Sequence, residues 1–175
     1  MRIERAPEWA LTPSVETQIV ALLARTFATD FGGRSFFQQR HHLRLLAFDG
    51  EALVGHIAIL WRAVRLGDDL VTIAGLAEVA TDPDRRGEGI ASRLLAEAVA
   101  EARASNAAFL TLFGTAGLYA AAGFREVSNR LRWVGLEGAR LGAVHQAAAS
   151  HFMVLPLGSQ KWDDAAELDL MGNQF

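Results

Sequence analysis

The run RRGEGIA, residues 85–91, places two arginines and two glycines at the start of a predicted helix. Glycine costs backbone entropy and packs no side chain, so Gly87 and Gly89 indicate unusual dihedral angles or the close approach of another molecule. The first amides of a helix lack intrahelical partners, and the helix dipole adds partial positive charge at the same end. These features predict a binding site for a phosphate-sized anion. The arginines available to it are Arg85, Arg86 and Arg93, unless the run is a plain turn with solvated arginines.

Two common phosphate-binding motifs do not fit this run. A Walker A loop needs a lysine after its last glycine, and residues 87–92, GEGIAS, contain none. A dinucleotide fingerprint needs a third small glycine where this chain has Ser92, and an acidic residue about twenty positions further on, which is absent. ATP, GTP and dinucleotides are therefore disfavoured as ligands.

The elements before the run are predicted from local patterns. A short strand over residues 2–6 precedes a helix that Thr12 and Pro13 begin as N-cap and first-turn residue. Two apolar, strand-rich segments joined by Asp49-Gly50 predict a β-hairpin with a primed turn. A second turn at residues 67–69 leads into a further strand. Three consecutive antiparallel strands are therefore expected before the run.

The elements after the run alternate between helix and strand. From Ile90 the apolar residues follow helical spacing, and the helix is expected to end at Asn106. AAFLTLF, residues 107–113, is predicted as a buried strand. Residues 116–122 are predicted as a short helix that Gly123 ends. The order indicates a mixed α/β chain with a strand-helix-strand unit in its middle.

The remaining segments have weaker local sequence patterns. Residues 31–42 are predicted as a glycine break and a short surface element, helical or not. Strand is expected again from Phe124, with HFMVLPL, residues 151–157, as the last strand. Within residues 128–150, GAVHQAAAS could be helix or loop. The residues that could prolong the strand from Phe124 are Leu131, Trp133 and Leu136.

Length and composition predict a single globular domain over residues 1–175. Hydrophobic residues make up 51% and charged residues 21% of the chain, which excludes a disordered or fibrous protein. A net charge of -3 gives no general attraction to nucleic acid or to an anionic membrane. The absence of cysteine excludes a disulfide framework, a thiol nucleophile and cysteine-bound zinc. The sequence has no signal-peptide pattern or membrane-length apolar run, so we expect a cytoplasmic protein.

Two motifs resemble signatures of the GCN5-related N-acetyltransferase (GNAT) superfamily. Arg86-x-x-Gly89-x-Ala91 resembles its pyrophosphate-binding signature, and GLYAAAGF, residues 117–124, is similar to its second signature. The resemblance implies an α/β (α+β) fold in which a mixed, mostly antiparallel central sheet is flanked by helices. It also implies that acyl-CoA binds where a splayed strand meets the N-terminus of the next helix. The cofactor-binding residues that it implies are Val79, Thr81, Arg86, Gly87, Glu88, Gly89, Ile90, Ala91 and Ser92.

Acetyl transfer to an amine needs a polarised thioester, a deprotonated amine and a proton for the departing thiolate. By resemblance, the N–H of Val79 stabilises the oxyanion and Tyr119 occupies the general-acid position, with a core aromatic whose hydroxyl is satisfied as the alternative. Glu78 is the nearest acid and could act as base if burial raised its pKa. A water relay, or an amine that arrives neutral, would remove the need for a base. His56 could also be a base, although a lone histidine in an apolar strand is more often hydrogen-bonded core.

Two branches of the superfamily resemble this chain outside the signatures as well, namely nodulation N-acyltransferases and aminoglycoside 2′-N-acetyltransferases. Both modify amino sugars. Asp30 matches the amine-contacting acid of the aminoglycoside branch, and the Phe175 carboxylate matches its terminal one. The chain departs from that branch at Ala77 and Asn173, which replace acids and leave less negative charge for a cationic acceptor.

Together these features predict an acetyl-CoA-dependent N-acetyltransferase that transfers an acetyl group directly to a primary amine of a small molecule, with an amino sugar as the candidate. A longer acyl donor is the alternative within enzymes, and a non-catalytic acyl-CoA-binding sensor is the alternative outside them. No metal is predicted, because the histidines lack ligand spacing. No nucleic-acid or membrane partner is expected, and a homodimer is compatible with the sequence.

Overall fold

The computed structural model describes residues 1–115, 117–137 and 140–175. Within them the helices are α1 (Pro13–Thr26), α2 (Ile90–Arg103) and α3 (Gly117–Ala121). The strands are β1 (Arg2–Pro7), β2 (Leu43–Asp49), β3 (Ala52–Leu66), β4 (Asp69–Thr81), β5 (Phe109–Phe113), β6 (Arg125–Val127), β7 (Arg130–Glu137), β8 (Arg140–Ala148), β9 (Phe152–Pro156) and β10 (Leu168–Asp169). Among these residues no helix is long and apolar enough to cross a membrane.

Contacts between residues divide the chain into two compact units. The first consists of Met1–Leu60 and Leu76–Ala100, and the second of Trp61–Gly75 and Glu101–Phe175. Strands β3 and β4 contribute residues to both units. The single domain expected over residues 1–175 stays a prediction.

In the first unit, β1, β2 and β3 form consecutive antiparallel pairs. Helix α1 begins as predicted, because Thr12 Oγ1 accepts a hydrogen bond from the Val15 N–H at 3.3 Å and Pro13 lies in the first turn. Burial of each large apolar side chain beneath α1 contributes about 1.5–3 kcal/mol. The buried residues of this cluster are Ile19, Leu22, Leu23, Phe31, Leu46, Phe48, Leu53 and Ala80.

The β2–β3 hairpin forms as predicted, but its loop lies one residue further along the chain. Asp49 still pairs within the hairpin, so the loop residues are Gly50 and Glu51. Gly50 has a φ of 58°, which glycine adopts without the steric cost of a Cβ. The Asp49 carboxylate instead accepts a hydrogen bond from Arg85 at 2.8 Å. The β3–β4 turn falls within the predicted residues 67–69.

Helix α2 lies close against β3 because Gly55 has no side chain. A Cβ at this position would lie 2.6 Å from Cγ2 of Ile90 and 2.8 Å from Cδ1 of Leu94. Ala47, which pairs with Gly55, faces the same way, whereas the preceding Leu46 belongs to the cluster beneath α1. Successive strand residues face opposite sides of a sheet, so α1 and α2 pack on opposite faces of the strands in this unit.

Helix α2 ends at Arg103, so the predicted end at Asn106 is wrong. Ser105 ends the helix, because its N–H and its hydroxyl donate to the Ala102 carbonyl at 3.1 and 2.7 Å. Its oxygen also accepts from the Ala107 N–H at 3.1 Å. A serine that bonds to nearby backbone competes in this way with continuation of the helix.

Helix α3 ends at Ala121, one residue before the predicted end, and Gly123 terminates it as predicted. Gly123 has a φ of 94° and its N–H donates to the Ala120 carbonyl at 3.0 Å, while the Phe124 N–H donates to the Tyr119 carbonyl at 3.0 Å. These two bonds form a Schellman motif, which needs the left-handed conformation that glycine adopts most easily. Ala116, the first residue of the predicted helix, lies outside the described residues.

In the second unit the strands follow the order β6-β9-β5-β4-β3-β10-β7-β8. The β10–β7 pair is parallel, and β5–β9, β6–β9, β10–β3 and β7–β8 are antiparallel. The sheet is therefore mixed and mostly antiparallel, as predicted. The buried residues of its core are Val64, Leu66, Val71, Ile73, Phe109, Val127, Leu131, Phe152, Val154, Trp162, Leu168 and Leu170.

The strand from Phe124 is not prolonged through Leu131, Trp133 and Leu136, because Asn129 separates β6 from β7. The Asn129 side chain is buried and donates to the carbonyls of Asp163 at 2.7 Å and Ala166 at 2.9 Å. Its Oδ1 accepts a hydrogen bond from Nε1 of Trp162 at 2.8 Å. Partners far away in sequence therefore end the strand.

Two other segments also differ from the predictions, and a third agrees with them. Residues 142–148 of GAVHQAAAS belong to strand β8, because β7 supplies a pairing partner. Strand β9 is followed by the short β10, so HFMVLPL is not the last strand. Residues 31–42 contain no regular element, and Ser35 is buried there with its hydroxyl donating to Glu16 at 2.9 Å.

Candidate active site

The loop between β4 and α2 contains two glycines in the left-handed region. Gly87 has a φ of 83° and Gly89 a φ of 75°, a conformation in which a Cβ is strained. A Cβ built at either position would meet no atom within 4 Å. The glycines are therefore required by the backbone and not by packing, and the loop is open on this side.

The first amides of α2 face this open loop without helical partners. Gly89 is the N-cap residue, because its carbonyl accepts the hydrogen bond from the Arg93 N–H at 3.1 Å. The amides of Ile90, Ala91 and Ser92 precede that first bond and so have no intrahelical acceptor. The Ile90 side chain is buried, so this position can offer an anion only its backbone.

Arg85 is not available to an anion, contrary to the expectation from sequence. Its guanidinium donates to both carboxylate oxygens of Glu88 at 2.7 and 2.8 Å, and to Asp49 at 2.8 Å. These hydrogen bonds raise the pKa of Arg85 and hold its charge locally. Arg86 and Arg93 are exposed, and within the described residues neither side chain has an ion-pair partner. The positive charge that remains free at this loop comes from these two residues.

Strand β4 is irregular at Glu78, whose φ is 53°. Of the described residues other than glycine with a positive φ, Glu78 alone lies within a strand, since His151 and Met171 lie in loops. A left-handed residue interrupts the pleat and redirects the backbone groups that follow it. The interruption falls directly before Val79, in the strand that the family resemblance implies to be splayed.

The Glu78 carboxylate is buried and is contacted at both oxygens. One oxygen accepts a hydrogen bond from Arg44 NH1 at 2.8 Å, and the other accepts from the Phe37 N–H at 2.7 Å. Nε2 of His41 lies 3.1 Å from the second oxygen, as an ion-pair contact and not as an aligned hydrogen bond. The side chain therefore joins β4 to β2 and to the segment 31–42.

The pKa of Glu78 is lowered, so the premise of a burial-raised pKa for its role as base is wrong. Burial by itself would raise this pKa, but the contact from His41 and the charge of Arg44 outweigh burial. A carboxylate with a lowered pKa is a weaker base, and its oxygens already have donors. The catalytic role of Glu78 stays a prediction.

His56 is fully buried in β3 and has a partner at each ring nitrogen. Its Nδ1 lies 2.8 Å from the Glu78 carbonyl oxygen, and its Nε2 lies 3.1 Å from Arg44 NH1. A guanidinium can only donate, so Nε2 accepts and the proton on Nδ1 is donated to the Glu78 carbonyl. Burial, and next the charge of Arg44, lower the pKa of His56 to about 3. A neutral, hydrogen-bonded core histidine is therefore observed, and this argues against a role as base.

The buried His56 should make the stability of the protein depend on pH below about pH 6.5. The unfolded chain takes up a proton near the ordinary value of 6.5, whereas the folded chain does so only near about 3. Between these values the unfolded state binds more protons, so the free energy of unfolding should fall as the pH falls. The expected slope from this group is at most about 1.4 kcal/mol per pH unit, measurable by urea denaturation between about pH 6.5 and about pH 5.

The control for this experiment is His56→Asn, which has no titrating ring. The groups that face His56 are Arg44, Glu78 and His41. Glu78 has a pKa below 4.5, so its protonation destabilises the fold only under more acidic conditions than those measured. A slope that is as steep in His56→Asn as in the parent would contradict the assignment.

Tyr119 lies in α3 with its ring buried. The ring packs edge-on against Phe124 at a centroid distance of 6.1 Å, and a Cβ on Gly114 would lie 2.9 Å from ring carbon Cε2. Burial raises the pKa of Tyr119 above its ordinary value of 10.0 and so keeps the phenol protonated. Within the described part of the chain the hydroxyl has no hydrogen-bond partner.

Asp30 follows α1 in the first unit and is exposed. Its Oδ1 accepts a hydrogen bond from the Gly32 N–H at 2.6 Å, so the carboxylate shapes a local turn. It also lines a cavity of about 240 Å³ together with Phe27, Phe31 and Arg34. The predicted contact of Asp30 with the acceptor stays a prediction.

Phe175 lies in the second unit, where its ring covers Gly75 of β4. A Cβ on Gly75 would lie 2.6 Å from the ring, which also packs against Phe113 at a centroid distance of 5.5 Å. Arg62 secures the tail by donating to the Asn173 carbonyl at 2.5 Å. The buried tail residues are Trp162, Leu168 and Leu170. The tail therefore packs on this sheet, and the substrate role of Phe175 stays a prediction.

Residues 10–127 match the model of a protein family described as an acetyltransferase (GNAT) domain. The chain belongs to the GNAT acetyltransferase family. YhbS from Escherichia coli strain K12, an uncharacterized N-acetyltransferase, is 32% identical over 129 residues, which cover 69% of this chain and 76% of YhbS. The family match and the similarity to YhbS show that this chain is an acetyltransferase.

Solved GNAT structures share the fold. The crystal structure of YhbS from Escherichia coli in complex with CoA has a TM-score of 0.67 and 23% identity, covering 97% of this chain and 90% of that one. A GNAT family acetyltransferase from Brucella melitensis in complex with acetyl-CoA has a TM-score of 0.63 and 20% identity, covering 95% and 94%. The predicted α/β fold with a mixed sheet and flanking helices is therefore confirmed.

Sequence reasoning missed one part of this candidate site, the buried charges around Glu78. Arg44 is fully buried, and its guanidinium donates to Glu8 at 2.7 Å as well as to Glu78. The sequence did contain a signal for these buried charges, because an arginine inside the apolar strand LRLLAF needs a buried acceptor. Within the described residues no group of three or more histidine or acidic side chains is arranged to hold a metal.

Proposed function

We propose that this GNAT acetyltransferase transfers the acetyl group of acetyl-CoA directly to a primary amine of a small molecule, with an amino sugar as the candidate acceptor. The observation that carries the proposal is the open glycine loop before α2. Gly87 and Gly89 take left-handed conformations there, and the amides of residues 90–92 lack helical partners. Such a loop suits the pyrophosphate of CoA. The structures of relatives that hold CoA and acetyl-CoA support this donor.

Both backbone amides and a side chain of the loop contribute to the binding of CoA. The amides of residues 90–92 have no intrahelical acceptor, and the exposed Arg86 adds the charge that a phosphate attracts. Thr81, at the end of β4, begins the segment that leads into this loop. Glu88 contributes through its amide, because its carboxylate is paired with Arg85.

The acetyl carbonyl is polarised by the N–H of Val79. Val79 follows the left-handed Glu78, so its amide need not follow the regular direction of the strand. A donor fixed in this way stabilises the charge that develops on the carbonyl oxygen during transfer, at no cost of reorganisation.

Tyr119 supplies the proton to the CoA thiolate. Its raised pKa keeps the phenol protonated until the thiolate leaves, and its hydroxyl has no competing partner in the described residues. A thiol has an ordinary pKa of about 8.5, so geometry must assist the transfer. Both oxygens of Glu78 already accept hydrogen bonds, and we therefore expect the amine to arrive neutral or to lose its proton through water.

Asp30 and Phe175 are the residues that we propose for the acceptor. Asp30 is exposed and lines a cavity of about 240 Å³ in the first unit. For Phe175 the proposed contact is its terminal carboxylate, because its ring packs on Gly75 and Phe113.

Asp30→Asn should raise KM for a cationic amine by about two- to fivefold, since an exposed charge pair is worth less than about 1 kcal/mol. Asparagine keeps the oxygen that accepts from the Gly32 N–H, so the turn should persist. Initial rates at varied amine concentration measure the effect, with the Kd for acetyl-CoA unchanged. Asp68→Asn, at an exposed acid of the β3–β4 turn, removes the same charge as a control. Equal KM values in both variants would contradict a contact between Asp30 and the amine. Arg34, Ser35 and Phe36 would then be the next residues to test for acceptor binding.

Release of free CoA thiol from acetyl-CoA, measured with a panel of amines, tests the proposed function. Amino sugars such as glucosamine should release CoA, whereas glucose, which lacks the amine, should not. A parallel series with longer acyl-CoA donors tests the alternative donor. Thiol release that does not depend on any amine would contradict an N-acetyltransferase.

A further inference from the structure

The peptide between Glu78 and Val79 is held by a side chain of the neighbouring strand. Glu78 has its left-handed φ of 53°, and its carbonyl oxygen lies 2.8 Å from Nδ1 of His56. Side chains seldom replace the regular backbone partner inside a sheet. The contact therefore marks the point at which β4 departs from the regular hydrogen-bond pattern.

The tautomer of His56 follows from its two partners. Arg44 can only donate, so Nε2 accepts at 3.1 Å and the proton is on Nδ1. Arg44 itself is fixed, because it is fully buried and donates to the carboxylates of Glu8 and Glu78 at 2.7 and 2.8 Å. The ring of His56 therefore has one orientation and one proton position.

Planarity of the peptide transmits this orientation to the next residue. In a trans peptide the C=O of one residue and the N–H of the following residue lie in one plane and point in opposite directions. The described residues have no cis peptide bond. When the Glu78 carbonyl points to His56, the Val79 N–H must point away from His56.

We propose that His56 is a positioning residue for acetyl transfer, which directs the Val79 N–H by holding the Glu78 carbonyl, with Arg44 keeping the ring in place. The inference rests on the proposed role of the Val79 N–H. His56 does not touch the reacting atoms and takes up no proton. It acts as the hydrogen-bonded residues behind metal ligands do, by fixing the orientation of a group that makes the direct contact.

Two amide variants separate the two hydrogen bonds of His56. In His56→Asn the side-chain amide nitrogen occupies the place of Nδ1, so it can still donate to the Glu78 carbonyl. In His56→Gln the amide reaches the place of Nε2, so it can accept from Arg44 but leaves the Glu78 carbonyl without its donor. Both variants keep a neutral polar group in the buried space.

The expected result is a difference in kcat and not in CoA binding. His56→Asn should keep kcat within about threefold of the parent, and His56→Gln should lower kcat by about tenfold or more, below the 10² to 10³ known for complete loss of an oxyanion donor. The Kd for CoA should be the same in both variants, since CoA has no acetyl carbonyl. Equal kcat values, or a larger loss in His56→Asn, would overturn the proposal.

An NMR measurement on the parent protein tests the proposal even if a variant fails to fold. The ¹⁵N resonances of the imidazole should show a protonated Nδ1 and an unprotonated Nε2. The opposite tautomer would overturn the proposal without any variant. A parent that releases no CoA with any amine overturns the proposed function together with the positioning role, whereas an active parent with equal variants overturns the positioning role alone.

Discussion

Removal of the Tyr119 hydroxyl in Tyr119→Phe should lower kcat by about 10²-fold, the scale of general acid catalysis. The phenol is the proposed proton donor to the CoA thiolate, and its burial raises its pKa so that it reaches that step protonated. Without the hydroxyl the thiolate must take its proton from water. A loss of about 10²-fold corresponds to about 2.7 kcal/mol of transition-state stabilisation. Steady-state rates at saturating acetyl-CoA and amine measure it.

The ring of Tyr119 is the internal control in this experiment. Phenylalanine keeps the edge-on contact with Phe124 and the close approach to Gly114, so the melting temperature should change little. The Kd for acetyl-CoA should also stay the same, because the hydroxyl acts on the leaving thiolate. Single-turnover rates establish whether chemistry limits kcat. An unchanged single-turnover rate would show that Tyr119 is a packing residue only.

Gly89→Val should weaken the binding of acetyl-CoA and CoA by about tenfold to hundredfold, which corresponds to about 1.4 to 2.7 kcal/mol. Gly89 has a φ of 75° and open space where a Cβ would lie, so the added side chain would occupy the side from which the pyrophosphate approaches the amides of residues 90–92. Acetyl-CoA and CoA should be affected equally, because the pyrophosphate is common to both. Isothermal titration calorimetry measures both affinities.

A second glycine in the first unit provides a matched control for backbone strain. Gly33 has a φ of 71°, and a Cβ there also meets no atom within 4 Å. Gly33→Val therefore carries a similar conformational cost in a different loop. The two variants should lose similar stability, but only Gly89→Val should lose affinity for CoA. Equal affinities in the two variants would show that the pyrophosphate does not bind at this loop.

Local sequence patterns were sufficient to predict the elements that flank the glycine loop. Apolar residues at helical spacing predicted α2 from Ile90, and the glycines predicted a loop with left-handed dihedral angles. Thr12 and Gly123 marked helix ends correctly because capping depends on residues within one turn. Even the hairpin was displaced by only one residue at Asp49.

The boundary between β6 and β7 and the presence of β8 depended on partners that local patterns do not contain. Asn129 ends β6 through contacts with residues 162–166, more than thirty positions away. Residues 142–148 form a strand only because β7 pairs with them, since their small and polar side chains have no strong preference of their own.

By itself the sequence determined the family, the glycine loop and the order of most elements, because each depends on residues that are close along the chain. The tertiary structure decided the state of the buried charged groups around Glu78. Arg44 joins Glu8, His56 and Glu78 across separations of 36, 12 and 34 positions. The contact from His41 and the charge of Arg44 lower the pKa of Glu78 where burial alone would raise it, and the contact with Arg44 holds the His56 proton on Nδ1. A charge buried among such partners depends on distances in space, and spacing along the chain does not supply them.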